Sequence, residues 1–155
     1  MKQFFLTLLF LLLLSQLSQA QADEKDLRQD TFIVYVFLLE DCVISQNYTA
    51  ELRRLHELYA SDRIQFIGLF PNRFSTKEKI AAFQEKYRIP FGLKRDYFQT
   101  RTKKMGVKVT PEVAVYNASR DEIFYRGRID DTYVSLGRRR AARQTAELED
   151  ALKAI

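Results

Sequence analysis

Residues 31–45 read TFIVYVFLLEDCVIS. Thr31 to Leu39 is an unbroken run of nine apolar, β-branched and aromatic residues, Thr31 aside. A run of that length and composition predicts a central strand buried on both faces. After Glu40-Asp41-Cys42 the period changes. Ile44, Tyr48, Leu52, Leu55 and Tyr59 recur at three- and four-residue steps, with Glu51, Arg53, Arg54 and Glu57 between them. That is the pattern of an amphipathic helix, and Asp41 is positioned to cap it. Cys42 therefore falls at the first turn of a helix, directly after a buried strand.

Downstream, Arg63 to Phe70 (RIQFIGLF) predicts a second strand, closed by Pro71-Asn72. Ser75-Thr76-Lys77-Glu78 reads as a capping box, opening a helix whose apolar positions are Ile80, Phe83 and Tyr87. Pro90 to Leu93 is extended, and Tyr97 to Met105 is a short helix stopped by Gly106. Thr110-Pro111 leads into a strand, Glu112 to Tyr116; residues 117–121 carry turn chemistry, and Glu122 to Arg128 returns as a hairpin. Arg138 to Ile155 predicts a last helix, with Ala141, Thr145, Leu148, Leu152 and Ile155 on one face. The order β-α-β-(α-β)-α-β-β-α implies an α/β fold. Helix-separated strands would pair in parallel, the last two antiparallel, with helices on both faces of a mixed sheet.

Upstream, Met1-Lys2-Gln3 is a short positive head, Phe4 to Leu14 is almost wholly apolar, and small and polar residues lead to Ala22. This is the layout of a cleaved secretory signal over residues 1–22. Its apolar run falls short of the roughly 20 residues a membrane span needs. Residues 23–30 (DEKDLRQD) then form a polar arm, and residues 31–155 one domain in the periplasm or outside the cell. Cys42 is the only cysteine, so no internal disulfide can form. In an oxidising compartment it either pairs with another chain or serves as a reactive thiol; the alternative is a buried cysteine acting as a small apolar residue. The net charge of +5 is mixed in sign along the chain, which suits solubility more than nucleic-acid binding.

A helix N-terminus favours the thiolate, the nucleophilic form. Glu40 and Asp41 oppose it, and the two effects are each of order 1 kcal/mol when exposed. Ser45 stands three residues after Cys42, where a two-cysteine redox helix has its resolving thiol. A serine can hydrogen-bond there but cannot form a disulfide, so attack by Cys42 would stop at a mixed disulfide. Taken alone, Ser45 is an ordinary first-turn serine. Thr110-Pro111 opens a strand where a proline loop can face a redox cysteine and pair with a substrate chain. His56, the only histidine, reads as a solvated helix residue. No Cys/His cluster points to a metal, and no Gly-rich loop points to a phosphate cofactor. Arg138, Arg139, Arg140 and Arg143, with Arg128, Asp130 and Asp131, read as a surface ion-pair network; an anion or acidic partner is the alternative.

Together the strand before Cys42, the segment Cys42-Val43-Ile44-Ser45-Gln46-Asn47-Tyr48, the segment Val109-Thr110-Pro111-Glu112-Val113, and residues 125–131 (YRGRIDD) carry a resemblance. Over about residues 31–155 the chain resembles the redoxin (AhpC/TSA and TlpA-like) branch of the thioredoxin superfamily, in a secreted, single-cysteine form. Ser75 to Leu93 resembles the αβ insertion of that branch. The resemblance implies a thioredoxin-like fold with Cys42 as nucleophile and Ser45 at the resolving position without resolving. It also implies a substrate-facing loop of Thr110 and Pro111, with Pro111 in cis. Val43 departs from the pattern, where a proline is usual. Leu39 and Tyr35 stand where peroxide-reducing relatives carry threonine and proline, which speaks against peroxide reduction.

Two functions follow. One is thiol–disulfide exchange, oxidoreductase- or isomerase-like, with protein or small-molecule thiols and disulfides as partners, no cofactor, and an intermolecular Cys42–Cys42 bond as an option. The other is a redox-inactive module that binds a protein or peptide at the Pro111 groove.

Overall fold

The computed structural model describes residues 30–135 and 137–155. The signal and arm expected over residues 1–29 lie outside the described residues. Residues Thr31–Ala154 form one compact unit.

The opening strand β1 (Phe32–Phe37) is followed by α1 (Val43–Asn47) and α2 (Thr49–Tyr59), which meet at Tyr48. Next come β2 (Ile64–Phe70), α3 (Lys77–Tyr87), β3 (Gly92–Arg95) and α4 (Thr100–Met105). The chain continues through β4 (Glu112–Asn117), β5 (Glu122–Gly127), a small hairpin of β6 (Tyr133–Ser135) and β7 (Arg138–Arg139), and α5 (Glu147–Lys153). Five strands form one sheet in the order β3-β2-β1-β4-β5, with β1 at its centre.

The continuous apolar run of β1 is explained by its position. Alternate residues face opposite layers, and both layers are filled. On one face Tyr35 and Phe37 pack with Leu69, Ala114, Tyr116 and Met105 of α4. On the other, Phe66 meets His56 of α2 and Phe70 meets Phe83 of α3 at ring separations of 5.4 and 5.5 Å. Gly68 leaves room for Leu93 of β3: a Cβ there would stand 2.3 Å from the leucine Cδ2 and would displace that side chain.

Several expectations need correction. β4 pairs antiparallel with β1, not parallel. The connection through α4 brings the chain back to the end of the sheet where it left β3, so β4 runs opposite to β1 and to β3. The N-cap of α1 is Cys42 itself, with no side-chain cap, while Asp41 is exposed. The cap of α3 is Thr76, whose Oγ1 accepts the Lys79 N–H, and not Ser75. His56 is half-buried between the rings of Phe66 and Phe91 instead of solvated.

The largest difference is the last helix, which starts at Glu147 rather than Arg138. Asp131 accepts the N–H groups of Gln144 and Thr145 and pairs with Arg140. Gly137, with φ +74°, turns the preceding hairpin. Consecutive arginines are also poorly placed in a first helical turn, where the dipole is positive; there α5 carries Glu147, Glu149 and Asp150.

Candidate functional site

β1, β2 and β3 run in parallel, so their C-terminal ends lie side by side, and the antiparallel β4 begins at the same end. Cys42 sits there, at the head of α1 and partly exposed. Its thiol donates to the backbone oxygen of Thr110 over 3.9 Å, and the Thr110–Pro111 peptide bond is cis. Three of the sequence-predicted residues, Cys42, Thr110 and Pro111, are thus brought together by the register of β1 against β4.

Ser45 is placed differently. It is fully buried, and its Oγ accepts the Leu39 N–H at 3.2 Å. The hydroxyl ties the end of the β1 segment to α1, and no hydrogen bond joins it to the Cys42 sulfur among the described residues. The loop between is braced further. The Cys42 N–H donates to the Leu39 carbonyl, and the Gln46 side chain donates to the Glu40 carbonyl at 2.8 Å.

The two carboxylates before the cysteine part company. Glu40 is buried and accepts the Ser75 hydroxyl at 2.7 Å, whereas Asp41 stands in solvent, where its charge is screened. Sequence reasoning missed the Glu40–Ser75 link because Ser75 fits a capping box so well. It also missed Glu112, whose carboxylate accepts the N–H groups of Lys108 and Val109 and so shapes the approach to Thr110. Its position directly after Pro111 was the available signal.

This site can be set beside known structures. A conserved protein from Geobacillus kaustophilus superimposes with a TM-score of 0.61 at 24% identity, covering 72% of this chain and 61% of that one. A hypothetical protein from Sinorhizobium meliloti gives 0.61 at 22%, covering 76% and 65%. A secreted Mycobacterium tuberculosis disulfide oxidoreductase, described as homologous to E. coli DsbE, gives 0.59 at 15%, covering 81% and 82%. The fold is thioredoxin-like. No family model and no curated protein matches the sequence. The chain spans less than two thirds of the length of the first two structures.

Within this thioredoxin-like frame Cys42 is the only cysteine, so no internal disulfide can form. The charged residues that follow β5 are engaged within the fold. Arg140 pairs with Asp131, Arg143 with Glu51, and Arg128 with Glu147. No helix of the described residues is long and apolar enough to cross a membrane.

Proposed function

We propose that the protein carries out thiol–disulfide exchange through Cys42, outside the cytoplasm, on a partner's disulfide. The observation that carries this reading is a partly exposed thiol held against the Thr110 carbonyl, in a chain with no second cysteine. The Cys42 thiolate attacks one sulfur of the partner disulfide. A new Cys42–S–S–partner bond forms, the partner S–S bond breaks, and the other partner sulfur leaves as a thiolate. Release requires a second thiolate, from the same partner or a small molecule, which attacks the partner sulfur and returns Cys42. No electrons are gained or lost overall, so the chemistry is isomerisation or transfer of a thiol adduct and not net oxidation.

Thr110 and Pro111 serve as the backbone that receives the partner. The Cys42 thiol occupies the Thr110 carbonyl as a donor; a thiolate or disulfide sulfur has no proton to give. Ionisation therefore frees that oxygen for a main-chain N–H of the partner. Ser45 keeps the α1 head rigid in place of resolving the adduct. Placement outside the cytoplasm is supported by the signal-like residues 1–22.

The test is adduct formation with a small disulfide, followed by intact mass, with alkylation rates measured across pH. A single adduct that disappears in Cys42→Ser and persists until a thiol is added is the expected result. Labelling that waits for global unfolding would reject it. Biological activity surviving in Cys42→Ser would favour the redox-inactive peptide-binding module instead.

A further inference from the structure

Thr110 reaches the sulfur on a loop that no backbone ladder holds. After α4 the Gly106 N–H returns to Lys103 and the Val107 N–H to Thr102. Beyond them, no backbone carbonyl accepts the N–H groups of Lys108 or Val109 among the described residues. Backbone groups need partners, and here two side chains supply them. The Glu112 carboxylate accepts the Lys108 N–H at 2.9 Å and the Val109 N–H at 3.4 Å. The Arg126 guanidinium donates to the carbonyls of Met105 and Gly106 at 3.3 and 3.2 Å.

The strand register explains how these two side chains come to share one task. Ala114 of β4 stands opposite Arg126 of β5, and Glu112 lies two residues before Ala114, on the same face. Glu112 and Arg126 are therefore diagonal neighbours, with 3.9 Å between Arg126 Nε and Glu112 Oε1. The end of α4 packs on that face, since Met105 and Ala114 share one apolar cluster. A guanidinium suits the end of a helix, where carbonyls lack helical partners and the dipole is negative. Gly106 leaves it room: a Cβ there would stand 2.3 Å from Arg126 Nη1.

We infer that Glu112 and Arg126 are positioning residues, which clamp residues 105–109 to the sheet and so aim the Thr110 carbonyl at Cys42 and at the main chain of a partner. The Cys42 thiol lies 3.9 Å from that oxygen, so a small displacement of the loop breaks the contact. A partner strand pairing with Thr110 needs the same oxygen held in one place. The inference rests on the exchange reading for the use made of that oxygen, and on the loop geometry for the clamp.

The test has two readouts. The first is the S–H stretching band in the Raman spectrum, which comes from Cys42 alone because the chain has one cysteine. The second is a ratio of two exchange rates. A short alanine–serine peptide carries thionitrobenzoate on its central cysteine, and mercaptoethanol carries the same group without a main chain. Cys42 attacks the carrier's sulfur, the new disulfide forms, and the released thionitrobenzoate is followed by absorbance. Taking the ratio cancels any change in the ionisation of Cys42.

The native protein is expected to show the band of a hydrogen-bonded thiol and to favour the peptide by roughly fivefold, the worth of about one hydrogen bond. In Glu112→Ala the band should move to that of a free thiol and the ratio should fall toward unity. Lys108 and Val109 are exposed, so water takes over their N–H groups and the fold is retained. Glu112→Gln, which keeps an acceptor but loses the charge, should stay near native in both readouts. Arg126→Met, at a side chain 45% exposed, should follow Glu112→Ala and carries the test if that variant does not fold. A free-thiol band or a ratio near unity in the native protein overturns the inference. So does a native-like result in both Glu112→Ala and Arg126→Met, or a Glu112→Gln variant that behaves as Glu112→Ala, since charge alone would then be acting. If neither disulfide reacts with the native protein, the exchange reading has failed, and the Raman band decides the clamp by itself.

Discussion

Two regions of this molecule handle charge differently. Around the C-terminal region, ionic and polar groups are matched. Tyr48 donates to Asp130 at 2.5 Å in a buried contact; burial, then the Asp130 carboxylate, raises the phenol far above its ordinary range. Arg54 bridges Glu51 and Glu149, and Arg143 reaches the same pair. Arg54 and Arg143 hold Glu51 below the usual carboxylate range, and Arg54 does the same for Glu149. On the loops after β2 and β3, Arg73 and Lys77 are exposed without a salt bridge among the described residues, and the rings of Phe74 and Phe98 stand in water. A cluster of like residues therefore means different things by location. The arginines of residues 138–143 read in sequence as an ion-pair network, with an anion site as the alternative, and two of them are consumed by ion pairs of the fold. Phe74, Arg95 and Phe98 lie apart in sequence, yet the parallel strands β2 and β3 bring them to the same end of the sheet.

The largest effect that would sharpen this contrast is expected from Leu148→Ala. Leu148 is fully buried in α5, and the cavity should cost about 3 kcal/mol in urea unfolding, with Cys42 adduct chemistry retained in the folded fraction. Tyr48→Phe comes next, at about 2 kcal/mol, because it leaves a buried Asp130 oxygen without that donor. Thr76→Ala should cost about 1 kcal/mol through the lost α3 cap; a much larger value would mean that the loop before α3 depends on that helix end for its order.

A pH effect follows, smaller for each group. Glu51 and Glu149 have folded-state values below the ordinary glutamate value of about 4.5. Their contribution is therefore complete above that pH and is lost as pH falls through the lower folded values. Each partly exposed pair should contribute under about 1 kcal/mol. Urea midpoints measured from pH 7 downward should hold until near 4.5 and then drop, with a shallower drop in Glu149→Gln. Smallest of all, Phe98→Ser should shift stability by no more than about 0.5 kcal/mol. A loss near that of Leu148→Ala would show that this ring is structural and would collapse the contrast between the two regions.

Much of the frame was legible in residues. The period change from residues 31–39 to Ile44, Tyr48 and Leu52 placed Cys42 at a strand–helix junction, and Gly106 ends its helix with φ +67° as a left-handed cap. Ser45, Ser75 and Asp41 were harder, because a small polar side chain near a helix start can cap, brace or face water. Which of these it does depends on a partner distant in sequence, as with Glu40 and Ser75, 35 positions apart.

By itself the sequence determined the alternation of strands and helices, the burial of β1 on both faces, and the presence of one sulfur without an internal partner. These are local properties of pattern and count. Only the tertiary structure decided that β4 runs against β1, bringing Thr110 to Cys42. It also decided that Asp131 holds residues 144–145 out of a long helix, and that loops 71–76 and 96–99 join into one exposed face. The reason is physical: periodicity is set by neighbours along the chain, whereas strand direction, hydrogen-bond partners and exposed surface are set by whatever the closed fold brings within reach.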